Sequence, residues 1–251
     1  MSWYPSSYAD KAAIRAATKA AVKPPDESVE YAILGTLRRA AISAGCTNIR
    51  LFTQAVGPVK AALGAQNAAE GACRELAIRW LAAKKSGDGN AFLEALLGLG
   101  GTINEEELKK VVEAFKAMGD KNIVEQRSYT ENQLKEYFEF VSKTDVLRAP
   151  LRMDQGPSES AAKWLFSSAD HCEYRLFGIR GFINHATAIC LVPGKESFFD
   201  PNLGEFQFRN RFENMYMFLD EHIFPKGGDG RGQYIGRDNK KFYDIERICC
   251  S

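Results

Sequence analysis

Cys73, His185 and Asp200 supply a thiol, an imidazole and a carboxylate, the three groups a nucleophilic triad needs. The thiol attacks only as its thiolate, the imidazole takes the proton, and the carboxylate holds the ring in the tautomer that can take it. Cys73 opens the run Cys73-Arg74-Glu75-Leu76-Ala77-Ile78-Arg79-Trp80-Leu81, whose apolar positions 76, 77, 80 and 81 recur at helical spacing. That spacing predicts an amphipathic helix with Cys73 in its first turn, where free N–H groups and the positive end of the macrodipole stabilise a thiolate. A nearby imidazolium adds to this, and such surroundings bring a thiol from about 8.5 to roughly 3.5–7.5.

The elements that must carry the other two groups lie far downstream, between Gly181 and Phe208. His185 enters a short apolar run that breaks at Pro193-Gly194. Ser197-Phe198-Phe199 follows and ends on Asp200, then Pro201-Asn202-Leu203-Gly204 makes a turn into Glu205-Phe206-Gln207-Phe208. Apolar segments of this length bounded by Pro and Gly predict antiparallel strands. His185 then begins one strand and Asp200 ends the next, so the two side chains can meet at one end of a sheet. Alternation puts Ala186, Ala188 and Cys190 on one strand face and His185, Thr187, Ile189 and Leu191 on the other.

The blocks G-A-C-R-E-L-x-x-x-W, N-H-A-x-A-I and F-F-D-P-N-x-G-x-F together resemble the YopT/AvrPphB-type cysteine proteases, papain-like bacterial effectors injected into host cells. The separations agree with that family, 112 residues from Cys73 to His185 and 15 from His185 to Asp200. The resemblance spans about residues 60 to 225. It implies an α+β, papain-like fold in which a helical subdomain carries the nucleophile and packs on a small antiparallel sheet. It further implies a cysteine endopeptidase with Cys73, His185 and Asp200 as catalytic residues, needing no cofactor or metal. Asn67, six residues before Cys73, stands where papain-like enzymes keep a side-chain oxyanion donor, with Gln66 as the substitute candidate; both also suit a loop or helix cap. The implied partner is a host protein, a small GTPase or a kinase among relatives, met in the reducing host cytosol, with self-cleavage and peripheral membrane attachment left open. An acyltransferase, a glutamine deamidase and a non-catalytic host-protein binder use the same three residue types or the same fold, and stand as alternatives.

The remainder of the chain sets the frame. Its 251 residues suit one domain with an N-terminal addition, here divided into a helical region at 1–50, a candidate pro-segment, and a protease domain at 51–251. A net charge of +1 with 26% charged residues gives no global pull toward nucleic acid. No apolar run approaches the length of a membrane span, and Met1-Ser2-Trp3-Tyr4-Pro5 lacks the basic start of a Sec signal. The six cysteines, Cys46, Cys73, Cys172, Cys190, Cys249 and Cys250, form no CxxC pair, which argues against a structural zinc site.

Helices are expected over 8–22, closed by Pro24-Pro25, over 27–44 ending at Gly45, and in part of 48–63. Further helices are expected over 90–97, from Thr102 to Met118, over 130–147, 158–166 and 210–222. Gly45-Cys46 lacks the Ser or Thr that an acylation signal wants four residues on, so a helix-capping glycine is the favoured reading. The glycine-rich stretch 226–232 has no Gly-Lys-Ser/Thr and reads as a loop, and Cys249-Cys250 reads as an end strand rather than a lipidated pair.

Overall fold

Short apolar runs between Pro and Gly turns become strands when each can bury both faces, and this chain supplies cover for both. The computed structural model describes residues 27–55, 57–66, 72–87, 91–97, 103–119, 123–137, 142–152, 173–180, 185–223 and 242–250. Asn67, His171, Cys172, the expected helices at 8–22 and 158–166, the Pro24-Pro25 linker and the loop 226–232 lie outside them.

Among the described residues seven strands form one sheet: β1 (Asn48–Arg50), β2 (Ser142–Arg152), β3 (Tyr174–Arg180), β4 (His185–Cys190), β5 (Ser197–Asp200), β6 (Gly204–Gln207) and β7 (Phe242–Cys250). Their order is β1-β6-β5-β4-β3-β7-β2, and each neighbouring pair is antiparallel. The expected α+β architecture with an antiparallel sheet is what forms, and β1, β2 and β7 flank the strands that carry His185 and Asp200. Residues 142–147, expected as the end of a helix, instead pair with β7. The helix there covers Ile123–Asn132, followed by a π-turn at Gln133–Tyr137.

Period-two alternation divides the side chains between two cores. Leu176, Ala188, Cys190 and Phe199 join the core built by Phe52, Leu63, Leu76, Trp80 and Leu108. Phe177, Ile189, Phe198 and Phe206 join the other, with Leu34, Leu37, Met215 and Phe218. The helix Cys73–Lys85 and the central helices thus cover one face, while helices Glu27–Ser43 and Phe212–Phe218 cover the opposite one. The helix Glu105–Met118 is capped by Asn104, whose Oδ1 accepts from the N–H groups of Glu106 and Glu107.

Two glycines are fixed by geometry. Gly45 ends its helix at φ +81°, with its N–H donated to Ile42 O and that of Cys46 to Ala41 O, the paired bonds of a Schellman cap. The capping role expected for Gly45 is what the backbone displays. Gly204 takes φ +106° in the β5–β6 turn, and a Cβ there would lie 2.1 Å from Arg50 O. The chain after β1 is thus pressed against the turn that follows Asp200.

A buried ion pair ties the far end of the Cys73 helix to the sheet. Lys84, beside the Trp80 ring, meets Glu205 of β6, and Gln207 Nε2 donates to the same Glu205 oxygen at 2.7 Å. Both charged side chains are nearly or fully buried. Removing one partner strands the other charge in the core, which costs about 3–5 kcal/mol. Lys84→Met is expected to lose that much in urea unfolding, and adding Glu205→Leu to recover most of it. Equal losses in the single and double variants would contradict this coupling.

Candidate active site

The residues proposed from sequence arrive from three directions. Leu76, Ala77, Trp80 and Leu81 are fully buried against the sheet. Their stripe lays the helix across one face and sets its first residue, Cys73, at the sheet's end. His185 is the first residue of β4 and Asp200 the last of β5. Ala188 pairs with Phe199, so the register, continued one step, sets Thr187 against Asp200 and His185 two residues beyond on the same face. That diagonal separation suits two side chains that reach toward each other.

His185 Nε2 lies 3.0 Å from Asp200 Oδ1. Asp200 is fully buried, and the same oxygen accepts the Asn202 N–H at 2.7 Å, which closes the turn beneath it. With Nε2 occupied by the carboxylate, Nδ1 is the nitrogen left for the Cys73 thiol, which hydrogen-bonds to the His185 side chain and the Ala186 backbone. His185 is buried whereas Cys73 is partly exposed, so of these residues Cys73 stands nearest the surface.

The electrostatics divide the described cysteines. Burial alone would push the Cys73 thiol up, but the hydrogen bond and charge of His185, the Ala186 backbone and the charge of Arg74 together bring it below its ordinary value. At Cys46 and Cys190 burial outweighs the backbone hydrogen bonds, and at Cys190 also the charges of Lys84 and Lys195, and pushes both thiols up to about 11. For His185, burial works against the cation. The charge and hydrogen bond of Asp200, joined by those of Cys73, outweigh it and raise the imidazole to about 10. Thiol lowered and imidazole raised both favour the thiolate–imidazolium pair.

A family model described as Yersinia/Haemophilus virulence surface antigen, Peptidase_C58, matches residues 45–235. The chain belongs to the Peptidase_C58 family. The match spans the Cys73 helix and strands β3 to β6. The chain is also similar to the crystal structure of Pseudomonas avirulence protein AvrPphB, with TM-score 0.45 and 18% identity over 71% of this chain and 91% of that one. No curated protein is significantly similar to it. Membership agrees with the cysteine-protease reading of the sequence. No helix among the described residues is long and apolar enough to cross a membrane.

Two neighbours of the site escaped the sequence reading. Arg74 adds positive charge beside the thiol and donates to Thr130 Oγ1 at 2.9 Å; its adjacency to Cys73 was a visible signal. Gln54 reaches the residue before Cys73, and nothing in its local sequence marks it. The expected oxyanion donor Asn67 falls outside the described residues, and the substitute Gln66 is partly buried just after the helix Gly57–Ala65.

Proposed function

We propose that this member of the Peptidase_C58 family is a cysteine endopeptidase that works through Cys73, His185 and Asp200 and cleaves a host protein after delivery into the host cell. The observation that carries the reading is the Cys73 thiol beside an imidazole whose Nε2 lies 3.0 Å from the buried carboxylate of Asp200.

The steps follow from these atoms. His185 holds the proton of Cys73, leaving a thiolate, and Asp200 stabilises the imidazolium. The thiolate attacks the peptide carbonyl, forming a C–S bond and an oxyanion that the Cys73 N–H and the Asn67 side chain receive. Collapse breaks the C–N bond as His185 gives its proton to the leaving amine. Water, giving a proton to His185, then attacks the thioester, and the acid departs as the thiolate and imidazolium are restored. Self-processing within the N-terminal region 1–50 is proposed, ahead of the helix Glu27–Ser43 that packs on the sheet.

Iodoacetamide labelling tests the site without a known substrate. At pH 6.5 Cys73 is expected to label roughly 100-fold or more faster than Cys46 or Cys190, since its thiol is lowered while burial pushes theirs up to about 11. The reaction should vanish in Cys73→Ala and weaken in His185→Ala. Labelling no faster than that of Cys46 would instead identify a binding relative. Intact masses of the purified chain beside its Cys73→Ser form then identify the chemistry. Fragments formed only by the active chain support proteolysis, and a gain of about one dalton in a treated protein indicates deamidation.

A further inference from the structure

Gln54 lies in the segment after β1, nearly buried and without a place in the chemistry described above. Its side-chain Oε1 accepts the Ala72 N–H at 2.9 Å, and its own backbone N–H donates to Pro201 O at 2.8 Å. Ala72 is the residue before Cys73, and Pro201 the residue after Asp200. One residue therefore holds both the thiol's helix and the carboxylate's turn.

The chemistry of the contact fixes its sense. A backbone N–H requires an acceptor, so the amide presents its oxygen to Ala72. Ala72 stands at the N-cap position, ahead of the helix's own hydrogen bonds, and its N–H is met by Gln54 from a distant segment. The segment carrying Gln54 is itself fixed, because Gly204 brings the β5–β6 turn against Arg50 and Phe52.

Resting on the active-site reading above, we infer that Gln54 is a positioning residue: it bridges Ala72 to Pro201 and so sets where the Cys73 sulfur meets the imidazole that Asp200 holds. Its two bonds go to the neighbours of the catalytic residues, Ala72 and Pro201. Losing the acceptor leaves the Ala72 N–H unmet in a buried place and frees the start of the helix to shift, and displacements near 1 Å weaken reactive geometry severely.

The test uses the full chain and the pH dependence of iodoacetamide labelling at Cys73. Gln54→Met keeps the volume but removes the acceptor, and Gln54→Asn keeps the amide but is one methylene too short to reach. Both are expected to move the acid limb of labelling to higher pH and to slow labelling at pH 6 by about tenfold, with Cys46 unchanged as the internal reference. Wild-type labelling profiles in both cooperatively folded variants would overturn the inference while leaving the active-site reading intact. Failure of both variants to fold would also overturn it, since Gln54 would then serve the fold alone. A wild-type Cys73 that labels no faster than Cys46 would instead remove the reading on which it rests.

Discussion

Cys73→Ala is expected to lower peptide hydrolysis about 10⁶-fold, and His185→Ala added to it to cost nothing further. The thiolate exists because the imidazole holds its proton, and that imidazolium later supplies the proton to the leaving amine. Each residue without the other has no step to perform, so the two losses cannot multiply. The same expectation separates Cys73 from the other described cysteines, because Cys46→Ala and Cys190→Ala remove thiols that burial keeps protonated. Fragment release followed by intact mass measures all of these variants. A double variant slower than either single by a further large factor would show that the two residues act independently.

Asp200→Asn is expected to lower kcat by about 10⁴-fold, the loss seen when a serine triad exchanges its carboxylate for an amide. The pH profile should identify the cause. In the intact site the Cys73 thiol lies below its ordinary value, so the limb on which the ion pair is lost as pH falls lies below the ordinary thiol range. His185 lies near 10, so the pair is lost as pH rises through about that value. Activity is then expected on a plateau between these limits. Asparagine removes the charge that does most to raise His185 while the burial that lowers it remains, so the alkaline limb falls well below 10. The Cys73 limb moves up as its partner loses its proton more readily. With the limbs crossed, little ion pair survives at any pH. An alkaline limb that stays near 10 in Asp200→Asn would show that the carboxylate does not set the imidazole.

Much of this was legible in the chain itself. The apolar positions 76, 77, 80 and 81 announce a helix with Cys73 at its start, and the helix begins at that residue. Pro193-Gly194 and Pro201 to Gly204 bound strands that place His185 at one strand's beginning and Asp200 at the next one's end. Gly45 terminates its helix as read. Spacing and turn chemistry act over a few residues, and such signals survive in any window that contains them.

Tertiary structure decided the rest. The stretch 142–147 shows no clear strand signal and was read as helix, yet it pairs with β7, about a hundred residues later, because a sheet with an open edge takes the partner that completes it. The Lys84–Glu205 pair joins residues that look like surface charges until the helix is laid across β6. Gln54 sits 18 residues before Ala72 and far from Pro201, and only the folded chain makes it their common partner. Sequence alone determined which groups could react and on what kind of element each stands, since those follow from residue type and local periodicity. Their distances, burial and shifted acidities arise from packing between segments remote in the chain, which no local pattern encodes.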